Sequence, residues 1–157
     1  MRSQQRQLAI TVLSAFIMLN TAGCGSAPTV AVDDYAVPAN VQATCAKLVA
    51  ELPGEVATQG RRVVEPTTNH IEKYAAAWGS PVITVRCGQS TPTGLTAPDG
   101  NITVNGITWL PQQLSHGYRF FSQNLSAPVS VTVPSEYSPE TNSLADLSKA
   151  LTPYITQ

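Results

Sequence analysis

Charged side chains are scarce in this sequence of 157 residues, at 12% of the total, against about 25% in an average globular domain. Nine basic and ten acidic residues leave a formal net charge of −1. Because nucleic-acid binding depends on a clear excess of basic residues, this balance argues against a nucleic-acid partner. The rest of the composition, 43% hydrophobic with twelve prolines and ten glycines, is typical of a globular chain with many turns.

Catalytic and metal-binding motifs are missing from the sequence as well. The two histidines, His70 and His116, fall in predicted loops or at a strand edge, so we interpret both as surface or turn residues. No G-x-S-x-G serine elbow occurs, and Gly94, Gly100 and Gly106 lack the lysine of a phosphate-binding loop. The sequence therefore predicts no catalytic residue, no cofactor and no metal site.

A long hydrophobic run is also missing. The longest uncharged apolar stretch near the N-terminus covers residues 8–19; as a helix it would reach about 18 Å, well short of the ~30 Å hydrocarbon core. Arg2 and Arg6 precede this stretch, and small or polar residues 20–23 follow it. Basic, apolar, then small is the order of a secretory signal peptide. We therefore favour a signal peptide over residues 1–23 rather than a permanent membrane span.

Residues 19–24, LNTAGC, resemble a bacterial lipoprotein box. In such boxes small residues, here Ala22 and Gly23, precede a cysteine that is lipidated and becomes the first residue of the mature chain. Thr21 stands where the box prefers an aliphatic residue. The resemblance predicts that Cys24 carries a lipid anchor at the outer face of the cell membrane. The alternative is a leftover cysteine after an ordinary signal peptide.

The sequence after Cys24 divides into a tether and a domain. Residues 24–39 are mostly small and polar, without periodicity, so we predict a flexible tether that follows the lipidated cysteine. Residues 40–157 then form one globular domain.

Cysteines number three in all, so assigning Cys24 to lipid leaves Cys45 and Cys87 as a pair. In an exported chain an even pair predicts a disulfide. Residues 41–52 read as an amphipathic helix with Cys45 on its apolar stripe, and Cys87 lies on the apolar face of a strand over residues 82–87. A free thiol pair or a metal half-site are the alternatives, but two cysteines without histidine at ligand spacing suit zinc poorly.

The clearest local signal is Asn105-Gly106, which is typical of a type I′ hairpin turn. Counting outwards from the turn pairs Val104 with Ile107 and Ile102 with Trp109. All four apolar side chains then share one face of the hairpin, as a half-buried sheet requires. Pro111 is predicted to end the second strand.

Further elements complete a predicted α+β domain. Asn40 is expected to cap the first helix, and a capping box at Ser143 is expected to open a C-terminal helix. Residues 61–65, 118–123 and 129–133 read as strands, whereas residues 70–78 fit either a helix or, as we favour, an extended arm. The prediction is a single domain with a largely antiparallel sheet and both helices packed on one face.

A cysteine in the early helix followed by Leu-Pro, here Cys45 and Leu52-Pro53, and four later motifs carry a family resemblance. The later motifs are Trp78-Gly79-x-Pro81, Arg86-Cys87-Gly88, Val104-Asn105-Gly106-x-Thr108-Trp109, and a late Val-x-Val-x-Val-Pro that ends at Pro134. In this order they resemble the actinobacterial domain of unknown function 3515 family. The resemblance implies a cell-envelope protein, membrane-anchored or lipidated, from a high-GC Gram-positive bacterium. It implies no activity.

Two classes of function stay open at this point. We favour a binding or accessory module on the outer face of the cytoplasmic membrane, held by its lipid anchor and open to a protein partner in the envelope. An exported enzyme of unrecognised type is the alternative, and we favour a non-enzymatic role. Trp78 and Trp109 are candidates for a ligand or partner surface, with packing in the sheet core as the competing interpretation.

Overall fold

The computed structural model describes residues 29–98 and 100–156. Within these ranges the chain forms two α-helices, α1 over Gln42–Glu51 and α2 over Thr141–Leu151. The strands are β1 Thr29–Val30, β2 Glu55–Val56, β3 Gln59–Val64, β4 Ala75–Trp78, β5 Ile83–Cys87, β6 Ile102–Val104, β7 Ile107–Leu114, β8 Gly117–Ser122 and β9 Val129–Pro134. No helix within these ranges has the length and apolar character needed to cross a membrane.

The strands form one sheet in the order β1-β3-β4-β5-β9-β8-β7-β6, and β2 pairs with β3 beside this path. Every pairing between strands is antiparallel except the short parallel contact of β1 with β3. The late strand β9 lies between β5 and β8. The predicted α+β fold with a largely antiparallel sheet is confirmed.

Both α-helices pack on the same face of the sheet, which we call the first face. Cys45, Leu48 and Val49 of α1 and Leu144, Leu147 and Leu151 of α2 are buried in one cluster. The sheet contributes alternate residues to this cluster, among them Ile83, Val85 and Cys87 of β5. Alternation along the strand gives one apolar face, as the sequence predicted, because successive side chains point to opposite sides.

The β6–β7 hairpin has the predicted register, with Val104 opposite Ile107 and Ile102 opposite Trp109. Asn105 and Gly106 adopt φ of 50° and 83°, as a type I′ turn requires. The prediction that Pro111 ends β7 is wrong, because the strand continues to Leu114. Pairing with β6 stops at Trp109, so Pro111 lies at an open edge, where a sheet tolerates proline.

Both predicted helix caps are wrong in detail. A 3-10 turn over Ala39–Val41 leads into α1, and no side chain caps that helix. The second helix starts two residues before Ser143, because the turn after Pro139 already begins the helical bonding: the amide of Asn142 donates to the Pro139 carbonyl. Ser143 therefore lies inside α2, and its buried hydroxyl has no partner within the described part of the chain.

The segment before α1 is part of the fold where the structure describes it. Residues 29–39 were predicted to belong to a flexible tether, but β1 pairs with β3, and Val32 and Val37 are buried. The Tyr35 hydroxyl lies 3.1 Å from both the Tyr74 and the Cys87 carbonyl oxygens. Thr29 and its successors are therefore built into the domain, and the part of the predicted tether before Thr29 lies outside the described residues.

The ambiguous stretch of residues 70–78 is extended, as favoured from the sequence, only in its second half, β4. A 3-10 turn over Ile71–Lys73 precedes β4. All four residues of β4 are buried, because Ala76 and Trp78 face the first cluster while Ala75 and Ala77 belong to a smaller cluster on the other side. A strand covered on both sides loses the polar–apolar alternation that identifies a strand in sequence.

Candidate functional site

Cys45 of α1 and Cys87 of β5 form the predicted disulfide, with their Cα atoms 5.3 Å apart. Both residues are fully buried in the main cluster. The bridge joins the first helix to a central strand and closes the chain across a sequence separation of 42 residues. Cys24, the predicted lipidation site, lies outside the described residues.

The prediction that Trp78 and Trp109 form a ligand or partner surface is wrong, because both side chains are fully buried. The Trp78 indole donates to the Pro53 carbonyl at 3.0 Å. The Arg61 guanidinium lies 5.7 Å from the Trp78 ring centroid and donates to two carbonyls at the end of α1. Both tryptophans are core residues, as large aromatic side chains in a sheet commonly are.

A polar strip lies on the second face of the sheet, opposite the two α-helices. Residues paired across an antiparallel ladder point to the same face, and the pairings of β5, β9 and β8 align five polar side chains there. We call this set the arginine strip; its members are Thr84, Arg86, Arg119, Ser130 and Thr132. Val30, Val32 and Tyr35 cover the neighbouring part of the second face, over β3 and β4. Thr84, Thr132 and Arg119 stay partly exposed.

Arg86 is the most buried charged side chain of the strip, at 9% exposure. One terminal nitrogen, Nη2, lies 3.2 Å from Oδ2 of Asp33, a side chain that is itself 91% exposed. The buried Nε of Arg86 has no hydrogen-bond partner in the part of the chain that the structure describes. Buried donors are nearly always satisfied, so an unpartnered one at a charged group calls for an explanation.

Arg119 is the second cation of the strip, and its Nε donates to the Thr132 hydroxyl at 3.0 Å. Burial lowers the pKa of Arg119 below its usual value, Arg86 lowers it further, and Asp33 opposes the change. The positive charge of Arg86 thus acts on Arg119. Among the residues described, no carboxylate forms an ion pair with Arg119. The exposed Asp33, which pairs with Arg86, is therefore the carboxylate that offsets the charge of the strip.

Neighbouring polar groups hold the strip in place. The buried Ser130 hydroxyl donates to Oε1 of Gln89 at 2.7 Å. Burial raises the pKa of the nearby Tyr35 phenol well above the usual range, although the positive charge of Arg86 opposes the shift. Tyr35 therefore stays protonated at physiological pH and acts as a hydrogen-bond donor. The strip supplies fixed positive charge and hydroxyl groups, which suit anion binding better than proton transfer.

Neither histidine belongs to the strip. Both are exposed, and Nδ1 of His70 lies 3.3 Å from Oε1 of Glu72. Within residues 29–98 and 100–156, no three His, Cys, Asp or Glu side chains come together in a way that could hold a metal ion.

An apolar groove of about 260 Å³ lies on the first face beside the start of α2. Tyr118 and Phe120 form one wall, with their rings stacked at a centroid distance of 5.8 Å. The other lining residues include Ile102, Pro111 and Glu140. Among the side chains that line the groove, Tyr118 and Glu140 carry an ionisable group.

One family profile, described as protein of unknown function (DUF3515), matches residues 7–157 of the chain. The chain belongs to the DUF3515 family. This confirms the resemblance drawn from the tryptophan–glycine, cysteine–glycine and hairpin motifs. No curated protein and no solved structure matches this DUF3515 chain.

The arginine strip of the DUF3515 domain was missed by sequence reasoning. In the sequence, Arg86 and Arg119 each lie between two apolar residues of a predicted strand, which is also the pattern of an ordinary solvated face. They are 33 positions apart in the sequence. Only the insertion of β9 between β5 and β8 brings them to the same part of the sheet.

Proposed function

We propose that this DUF3515 protein is a lipid-anchored binding or accessory module on the outer face of the cytoplasmic membrane. The observation that carries the binding role is the arginine strip. The first face of the sheet packs against the helices and the core, whereas the second face keeps two cationic side chains beside partly exposed threonines. Fixed positive charge beside hydroxyl groups is an arrangement suited to holding an anionic ligand.

The extracytoplasmic location is supported by the disulfide and by the N-terminal sequence. A buried bridge between α1 and β5 suits an oxidising compartment, since structural disulfides are rare in the cytosol. The basic, apolar and small segments of residues 1–23, followed by Cys24, have the order of an exported lipoprotein.

The N-terminal segment also sets how far the domain can stand from its anchor. Because β1 begins at Thr29, four residues lie between Cys24 and the start of the fold, which makes five residue-to-residue steps. At about 3.3–3.6 Å per residue this length spans at most ~18 Å. A lipidated Cys24 would therefore hold the β1–β3 edge of the sheet close to the headgroups, where Val63, 52% exposed, lies opposite Thr29.

Labelled palmitate added to the native host is expected to enter the wild-type protein and to be absent from a Cys24→Ala variant. The variant should also leave the membrane fraction, because three acyl chains on one cysteine supply most of the membrane affinity. A Ser26→Ala variant is the matched control and should behave as wild type. A Cys24→Ala protein that still sediments with membranes would rule out the anchor as proposed.

A further inference from the structure

We propose that the arginine strip is a binding site for a phosphate group, with Arg86 and Arg119 as its cationic ligands and the threonine hydroxyls as further donors. The inference deepens the proposed binding role and rests on it. It is independent of the lipid anchor, so the two can fail separately.

The sheet register makes the two arginines converge. Arg86 lies opposite Ser130 across the β5–β9 ladder, and Arg119 lies opposite Thr132 across the β8–β9 ladder. Ser130 and Thr132 are two positions apart on β9 and therefore point to the same face. Arg86 and Arg119 thus lie on the same face on either side of β9; Arg119 donates to the Thr132 hydroxyl, and the charge of Arg86 lowers the pKa of Arg119.

The weak ion pair of Arg86 and its unpartnered Nε both favour the binding of an anion. Asp33 is the carboxylate that contacts Arg86, and a carboxylate exposed to this degree stabilises an ion pair only weakly because water screens it. It can therefore be displaced. The buried Nε of Arg86 lacks a partner among the described residues, and an oxygen acceptor that reached the guanidinium would supply one.

The chemistry of the donors favours phosphate over carboxylate. A guanidinium presents a planar fork that matches two oxygens of one anion. A phosphate has enough oxygens to meet two such forks and still accept from a hydroxyl such as Thr132 or Thr84, whereas a carboxylate has only two. The phosphate could belong to a soluble compound or to a lipid headgroup, and both present the same group.

The test is a calorimetric titration of the full-length protein in detergent with inorganic phosphate, at constant ionic strength. Wild type is expected to bind saturably, and Arg119→Gln to bind about tenfold more weakly, because one charge-assisted interaction is lost. Lys149→Gln, on the exposed side of α2, is the charge-matched control and should match wild type. Asp33→Asn should bind several-fold more tightly, since it removes the competing carboxylate, and Glu136→Gln should not.

Two further arms complete the experiment. Thr132→Val, which keeps the side-chain shape, should weaken phosphate binding while a thermal unfolding scan shows that the fold is intact. Vesicles of equal parts phosphatidylglycerol and phosphatidylcholine, compared with phosphatidylcholine alone, then separate a headgroup from a soluble phosphate as the source. Saturable binding of inorganic phosphate or of phosphatidylglycerol vesicles that depends on Arg119 supports the proposal. The proposal would be overturned if neither inorganic phosphate nor the vesicles bound saturably. It would also be overturned if Arg119→Gln and Lys149→Gln lost phosphate affinity equally, or if equimolar acetate displaced the phosphate.

Discussion

Replacing Trp78 with alanine is expected to lower the free energy of unfolding by about 3–5 kcal/mol, the range for removing a large buried aromatic side chain. Trp78 is fully buried in the main cluster, and its indole nitrogen donates to the Pro53 carbonyl. The substitution would leave a cavity under α1, an unpartnered carbonyl, and the Arg61 guanidinium without its aromatic contact.

Urea unfolding of the purified domain measures this effect directly. Val63→Ala is the control, because Val63 is an exposed apolar residue of the same sheet and surface substitutions usually change stability by less than about 0.5 kcal/mol. If Trp78→Ala lowered the free energy of unfolding by less than about 1 kcal/mol, the central place of Trp78 in the core would be contradicted, since buried Trp→Ala changes cost well above that value.

Removing the disulfide by Cys87→Ser is expected to destabilise the domain by about 4 kcal/mol, from the chain entropy of a closed loop of about 43 residues. The bridge joins residues 42 positions apart, and both cysteines are fully buried. Dithiothreitol should lower the melting temperature of wild type and leave that of the variant unchanged.

The double variant Cys45→Ser/Cys87→Ser serves as the control for this prediction. Its melting temperature should be close to that of the single variant, because both variants lack the bridge and the effects of two coupled sites are not additive. Non-reducing mass analysis should find no alkylatable thiol at Cys45 or Cys87 in the native domain. Two alkylatable thiols, or a melting temperature that Cys87→Ser does not change, would count against the bridge.

The parts of the fold that the sequence predicted correctly depend on local signals. Asn105-Gly106 determines its hairpin because both residues accept positive φ, so the register follows by counting from the turn. The pairing of Cys45 with Cys87 followed from the number of cysteines and from the apolar faces on which the two lie. Neither prediction depends on the order of the strands in the sheet.

The parts that the sequence did not predict depend on distant contacts. Residues 29–37 have no periodicity, and Tyr35 is fixed by carbonyls that lie 39 and 52 positions further along. Pro111 breaks a strand only where its missing N–H is needed, and that depends on where β6 stops. The arginine strip depends on the position of β9 in the sheet. Residue types alone carry none of this information.

The mass of the intact protein, extracted from host membranes and measured without reduction, tests the account most directly. We predict the mass of residues 24–157 plus a diacylglyceryl group and acyl chain on Cys24, less two hydrogens for the Cys45–Cys87 bridge. A chain that still begins at Met1, or one in which Cys24 is unmodified, would contradict the lipid-anchored module that we propose.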